Sequence, residues 1–242
     1  MTHFDTIIIG AGFSGLYQLH RCRDDLNLKT LVIEEGSDLG GTWYWNTYPG
    51  ARCDSESHTY GYTFSENIYK NWTWNEKYPK QSKILKYLNY VEKKLNLRKN
   101  ILFNHKIISA KYLERKNLWQ IKTNKNKVLF CKYLICAVGS LSAANIPKIK
   151  GLNKYKGKYY HTGRWPKKKV NLKDQVIAQI GTGSSGIQVA PEIAKVVKKL
   201  VIFQRTPNYS IPARNKKLTK EIINNHLKNY EKIKKLIKKT PG

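Results

Sequence analysis

The sequence predicts an α/β fold containing two Rossmann-like dinucleotide-binding domains. Three observations lead there. Two short apolar runs of the kind buried in parallel sheets, Ile7–Ile9 and Val176–Ile180, each lead directly into a GxGxxG loop. The loops are Gly10-Ala11-Gly12-Phe13-Ser14-Gly15 and Gly181-Thr182-Gly183-Ser184-Ser185-Gly186, and each opens a stretch with helical character. A second apolar strand follows each helix and carries a charged residue nineteen positions past the last glycine, Glu34 in the first copy and Arg205 in the second.

The chemistry of such a loop explains its composition. The first glycine permits the tight turn, the second lets a pyrophosphate approach the backbone, and the third lets the helix pack against the strand. The helix N-terminus then faces the phosphates with its free amides. The charged residue at the end of the second strand reads the adenosine ribose. A carboxylate accepts hydrogen bonds from a free diol, whereas a guanidinium suits a 2′-phosphate. Glu34 therefore predicts FAD for the first loop, and Arg205 predicts NADPH for the second.

Between the first strand and Glu34, the residues from Ser14 to about Asp25 suit a helix and Leu28–Ile33 suits a strand. Gly40–Asp54 is too rich in Gly, Pro and aromatics for helix or regular strand. It reads as a long ordered loop with flat ring surfaces at Trp43, Trp45 and Tyr48. Pro79–Leu97 carries Ile84, Leu85, Leu88, Val91 and Leu95 at helical spacing. Ile101–Phe103, Ile107–Tyr112, Leu118–Thr123 and Val128–Val138 read as strands separated by Lys/Asn turns. Ser140–Gly157 reads as a connection, Tyr155–Pro166 as a hinge, Ile187–Lys198 as a helix and Leu200–Phe203 as a strand. The tail Leu218–Lys239 shows one apolar face, formed by Ile222, His226, Tyr230, Ile233 and Ile237.

Composition sets outer limits. With 242 residues and 40% hydrophobic content, the chain can bury a substantial core. No charged-then-apolar leader precedes the first strand and no apolar run approaches the length that spans a bilayer, so a soluble, cytoplasmic protein is expected. The formal charge of +29 raises nucleic acid as a partner, but only 8 of the 45 basic residues are Arg and the lysines are scattered. Biased coding explains that charge better, and no nucleic-acid partner is expected. Cys22, Cys53, Cys131 and Cys136 contain no CxxC pair, which argues against a dithiol or zinc centre and for reduced core thiols.

Two longer motifs then carry a resemblance. Gly40-Gly41-Thr42-Trp43 through Tyr48-Pro49-Gly50 to Asp54 matches GGxWxxxxYPGxxxD, and Tyr155 to Pro166 matches FxGxxxHTxxWP except that Tyr155 replaces Phe. With both glycine loops, the chain resembles the Baeyer–Villiger monooxygenases, over nearly its whole length to about Asn215. The resemblance implies an FAD reduced by NADPH, O2 as co-substrate, and a small-molecule ketone converted to an ester or lactone. It implies domains at 1–145 for FAD, 146–215 for NADPH, and the start of a helical insertion at 216–242. It places Gly41, Thr42, Trp43 and Asp54 beside the flavin, with Tyr60 nearby and Ile107 near the adenine. Arg52 faces the nicotinamide side, and Thr182, Ser184, Ser185, Gln188, Arg205 and Thr206 hold NADPH. Asp54, Arg52 and His161 are the catalytic candidates, His161 acting with Trp165 from the interdomain linker.

The resemblance also implies sequence that is not present here: the remainder of the insertion, an active-site arginine and a C-terminal return to the FAD domain. A fragment that retains FAD weakly is therefore expected. The alternatives are an N- or S-oxygenating flavoprotein, a basic binding protein that keeps the fold without turnover and, for the tail, a membrane-surface helix. No membrane partner is expected, and the substrate and oligomeric state stay open.

Overall fold

The computed structural model describes residues 2–239. The last three residues of the expected 216–242 segment, Thr240 to Gly242, and Met1 lie outside the described residues. In chain order the elements are β1 (Thr2–Ile9), α1 (Phe13–His20), β2 (Thr30–Ile33), α2 (Thr42–Trp45), α3 (Glu66–Lys70), α4 (Gln81–Leu95), β3 (Ile101–Leu102), β4 (Ile107–Leu113), β5 (Leu118–Thr123) and β6 (Val128–Cys136). They continue with β7 (Val176–Ile180), α5 (Ser184–Ile193), β8 (Lys199–Phe203), α6 (Lys220–Lys228) and α7 (Tyr230–Lys239). The chain forms two compact units, one of Met1–Asn46 with Leu85–Arg164 and the other of Thr47–Ile84 with Trp165–Gly242.

The first unit is built on a six-stranded sheet of order β3-β2-β1-β6-β5-β4. Its β3-β2-β1-β6 part is parallel, and β6-β5-β4 is an antiparallel meander. The apolar runs of β1 and β2 are covered on both faces, and Ile7, Ile8, Val32 and Ile33 are buried. The outer meander alternates instead, with Ile121 and Thr123 buried around exposed Lys122. The same period corrects one expectation. Cys131 is buried but Cys136, five residues along the strand and so on the opposite face, is exposed. The tight turns are built on asparagines at positive φ, Asn117 and Asn126 among them, since Asn tolerates the left-handed region better than other side-chain-bearing residues.

The helix expected over Pro79–Leu97 is α4, which buries Ile84, Tyr87, Leu88 and Val91 along one stripe. The first helix ends earlier than expected as α-helix, because a π-helical turn takes over Arg21–Asp25. The expected irregular stretch Gly40–Asp54 contains α2, closed where the Asn46 N–H and side-chain amide both donate to the Thr42 carbonyl at 2.9 Å.

The second unit holds the parallel pair β7-β8 with α5 between them. Its core joins Tyr48, Ala51, Val189 and Ile193 to the half-buried Trp165, Ile177 and Leu200. The tail is two helices rather than the single one its periodicity suggested. Asn229 leaves helical geometry between α6 and α7, and its side-chain amide bonds the Asn225 carbonyl at 2.8 Å. Tyr230 at the start of α7 is buried, packs 5.0 Å from Tyr69 and donates to the Thr63 carbonyl at 2.8 Å.

Candidate functional site

In the first unit the strand β1 delivers its glycine loop against β6. Gly10 has φ +98°, and a Cβ there would lie 2.7 Å from the Ala137 carbonyl oxygen. At Gly15 a Cβ would come within 1.8 Å of the Gly10 carbonyl oxygen, so the α1 backbone rests directly on the turn. Gly12 caps α1 in an extended conformation with no side-chain hydrogen bond, so the helix opens on backbone amides at half-buried Phe13 and exposed Ser14, as a phosphate-binding turn requires. Glu34 is buried at the end of β2. Its carboxylate accepts from the Ala11 N–H and the Gly36 N–H, both at 2.7 Å, and so braces the loop while keeping lone pairs for a diol.

The start of the first long motif lies against this loop. Gly41, at φ +53°, is so close that a Cβ would be 2.9 Å from the Gly12 Cα, and the Gly40 N–H donates to the Ala11 carbonyl at 2.9 Å. Thr42 opens α2 exposed, and Trp43 behind it is buried. Ile107 begins β4 and packs on the cluster of Ile7, Ile33 and Ile121. His161 is half-buried, and its Nδ1 accepts from the Gly163 N–H at 3.1 Å, shaping the turn Thr162–Arg164. That turn sets the Arg164 guanidinium 4.3 Å from the Trp45 ring centroid, so residues of the two long motifs meet within this unit.

The second unit repeats the loop more openly. A Cβ at Gly186 would lie 2.6 Å from the Gly181 carbonyl oxygen, the same helix-on-turn packing as at Gly15. At Gly181 and Gly183 it would meet nothing within 4 Å, so the loop's outer side is clear. Gly183 caps α5 without a side-chain bond, leaving the amides around Ser184 and Ser185 free for phosphate. Past β8, Gln204 donates to the Thr182 hydroxyl at 2.7 Å, while Arg205 and Thr206 are exposed.

The rest of the first long motif belongs to this unit. Arg52 is half-buried and pairs with Glu76 at 3.5 Å. Its neighbours Ala51 and Cys53 exchange backbone hydrogen bonds with Gln81 and Pro79. Burial pushes the Cys53 thiol pKa up. Asp54 is exposed, and half-buried Tyr60 donates its N–H to Glu56. Gln188, one turn into α5, turns its amide onto Arg52 and Tyr48. A cleft of about 230 Å³ beside them is lined by Tyr48, Arg52, Lys80, Gln81, Ser82 and Glu192. Among the described residues no cluster of His, Cys, Asp and Glu could hold a metal ion, and no helix is long and apolar enough to cross a membrane.

Comparison with known proteins gives this arrangement a family. The model of the flavin-binding monooxygenase-like family matches residues 5–229. The chain belongs to that family. Among relatives of this flavin-binding monooxygenase-like chain, the cyclohexanone 1,2-monooxygenase of Acinetobacter sp. is 41% identical over 229 residues, 95% of this chain and 42% of the relative. The phenazine N-monooxygenase of Lysobacter antibioticus is 38% identical over 232 residues, 96% of this chain and 43% of the relative. A solved structure of cyclohexanone monooxygenase from Rhodococcus sp. Phi1 bound to NADP+ superposes with a TM-score of 0.94 at 41% identity, over 97% of this chain and 44% of that one. The family member described here thus spans less than half the length of these relatives.

The residues present fit the two expected dinucleotides. Uncapped helix starts, third glycines with no room for a side chain at Gly15 and Gly186, open space at Gly181 and Gly183 of the second loop, and Glu34 against Arg205 are what FAD and NADPH would require. The sequence reading did not single out the contact of Arg164 with Trp45, whose only signal was a cation beside an aromatic motif, nor that of Gln188 with Tyr48, since it named Gln188 only as a residue that holds NADPH.

Proposed function

We propose that this chain supplies the FAD and NADPH sites of a monooxygenase that places one oxygen atom of O2 next to the carbonyl of a small ketone, giving an ester or lactone. One observation carries the reading: two glycine loops with bare helix N-termini are followed in the same register by a buried carboxylate and an exposed guanidinium. We assign FAD to 1–145, NADPH to 146–215 and a helical insertion to 216–242, in a cytoplasmic enzyme.

A bound flavin would supply the capacity to accept a hydride from the nicotinamide and to activate O2. Everything else falls to the side chains. The amides at Phe13 and Ser14 take the FAD pyrophosphate while Glu34 orients its ribose. The amides at Ser184 and Ser185 take the NADPH pyrophosphate, and Arg205 with Thr206 takes the 2′-phosphate. Thr42, Trp43, Asp54 and Tyr60 line the flavin. Arg52 presents its charge toward the nicotinamide, and His161 holds the turn that carries Arg164. The similarity to a phenazine N-monooxygenase supports a second reading, oxygenation at nitrogen, by the same cofactor machinery.

Product analysis separates the two. The chain alone, and a chimera completed with the remaining part of the Rhodococcus enzyme, are supplied with FAD, NADPH and O2 over a panel of ketones, amines and thioethers. The chimera is expected to form esters with matching NADPH consumption. N-oxides or sulfoxides without any ester would replace the ketone reading with the second one.

A further inference from the structure

Gln188 commits most of its side-chain amide to protein, with both acceptor positions and one of its two N–H groups engaged. Its Oε1 accepts from the Tyr48 hydroxyl at 3.0 Å and from the Arg52 N–H at 3.2 Å, while its Nε2 donates to the Arg52 carbonyl at 3.2 Å. The amide thus pairs with Arg52 as a neighbouring strand would, on the side opposite the backbone bridge from Arg52 to Lys80. Gly50 makes the approach possible. It stands at φ +82°, and a Cβ there would be 2.3 Å from the Gln188 carbonyl oxygen and 3.0 Å from the Glu192 Cγ. The segment Tyr48–Arg52 therefore lies directly on α5, whose first turn is the second glycine loop.

We infer that Gln188 is a positioning residue that ties the pose of Arg52 to the occupancy of the dinucleotide loop at the start of α5, rather than a direct ligand of the coenzyme. This rests on the dinucleotide reading given above. Coenzyme on the loop fixes the start of α5, Gln188 lies one turn further in, and its amide holds both backbone groups of Arg52. Neither Asn, one methylene shorter, nor Leu, without polar atoms, reproduces three bonds from one amide. The Arg52 side chain, held half-buried near Glu76, is thereby presented in one pose when the loop is filled.

The peptide bond after Arg52 is a trypsin site, so proteolysis reads this coupling without any turnover. In the 242-residue chain, NADP+ at about 100 times its Kd is expected to slow cleavage after Arg52 by roughly tenfold or more, because cleavage follows the population of the open segment. Gln188→Leu should still bind NADP+ through the loop and Arg205, yet lose that protection. Tyr48→Phe, which removes one of the three bonds, should lose part of it and serves if Gln188→Leu does not fold by circular dichroism. Protection undiminished in the variants would overturn the inference. So would a folded Gln188→Leu that no longer binds NADP+, which would make Gln188 a coenzyme ligand. A wild-type chain that binds no NADP+ would instead overturn the dinucleotide reading, and this inference with it.

Discussion

A methyl group at position 15 would sit 1.8 Å from a backbone oxygen, whereas at position 183 it would meet nothing within 4 Å. The two glycines occupy loops of one pattern but answer to different demands. Gly15→Ala is expected to destabilise the fold by about 3 kcal/mol or more, through overpacking that backbone cannot relieve. Gly183→Ala, at an N-cap with ordinary φ, should cost only a few tenths of a kcal/mol of stability but weaken NADP+ by closing the space a pyrophosphate needs. Thermal melts with and without NADP+ check both; equal melting of the two variants would contradict the account. At this scale much was legible in the sequence. Glu34 and Arg205 stand out because their register is local, set within one strand–helix–strand unit. Gln188 on Arg52 and Arg164 over Trp45 were not legible, since each joins residues more than a hundred positions apart through tertiary contact alone.

At the scale of elements, α6 docks through a pair of histidines. His58 and His226 stack with ring centroids 4.3 Å apart, beside Glu56 at 3.5 Å from His58 and Lys77 at 3.0 Å from Glu56, with Tyr69 and Tyr230 packed nearby. Burial is the main cause that lowers both histidine pKa values below the ordinary 6.5, with Lys77 adding to it for His58 and His58 itself for His226, against the opposing Glu56. A depressed histidine means that the unfolded chain binds more protons below that value, so stability is full above pH 6.5 and falls as pH drops beneath it. The melting temperature should fall between about pH 7 and pH 5, and His226→Phe, which keeps the stack without the second charge, should flatten that fall. An unchanged slope in the variant would show that the pair is not the source. The helices themselves were legible from periodicity, as α4 illustrates. The break at Asn229 was not, because an asparagine side chain bonding back to Asn225 leaves the apolar spacing intact.

For the whole molecule, the strands β1 and β2 bury Ile7, Ile8, Val32 and Ile33, while the pair β7-β8 exposes Val176, Ile180, Ile202 and Phe203 at between 45% and 68% of their surface. Parallel strands of this composition are ordinarily buried on both faces, and each Å² left in water costs about 25 cal/mol. The 242-residue chain purified alone is therefore expected to bind a hydrophobic dye and to self-associate, which light scattering would detect. A monodisperse chain without dye binding would contradict this. The class of fold was legible, since strand, glycine loop and helix recur in order. The grouping of Thr47–Ile84 with Trp165–Gly242 was not, because nothing local in the first long motif marks where its backbone leaves one compact unit for the other. In the function proposed above, the two glycine loops select different dinucleotides through Glu34 and Arg205. The most direct measurement is the Kd of NADP+ and of NAD+ for the wild-type chain and for Arg205→Ala. Loss of a charge-assisted contact of about 1.5–3 kcal/mol predicts NADP+ weakened roughly tenfold to a hundredfold or more with NAD+ nearly unchanged, whereas an equal loss for both coenzymes would contradict it.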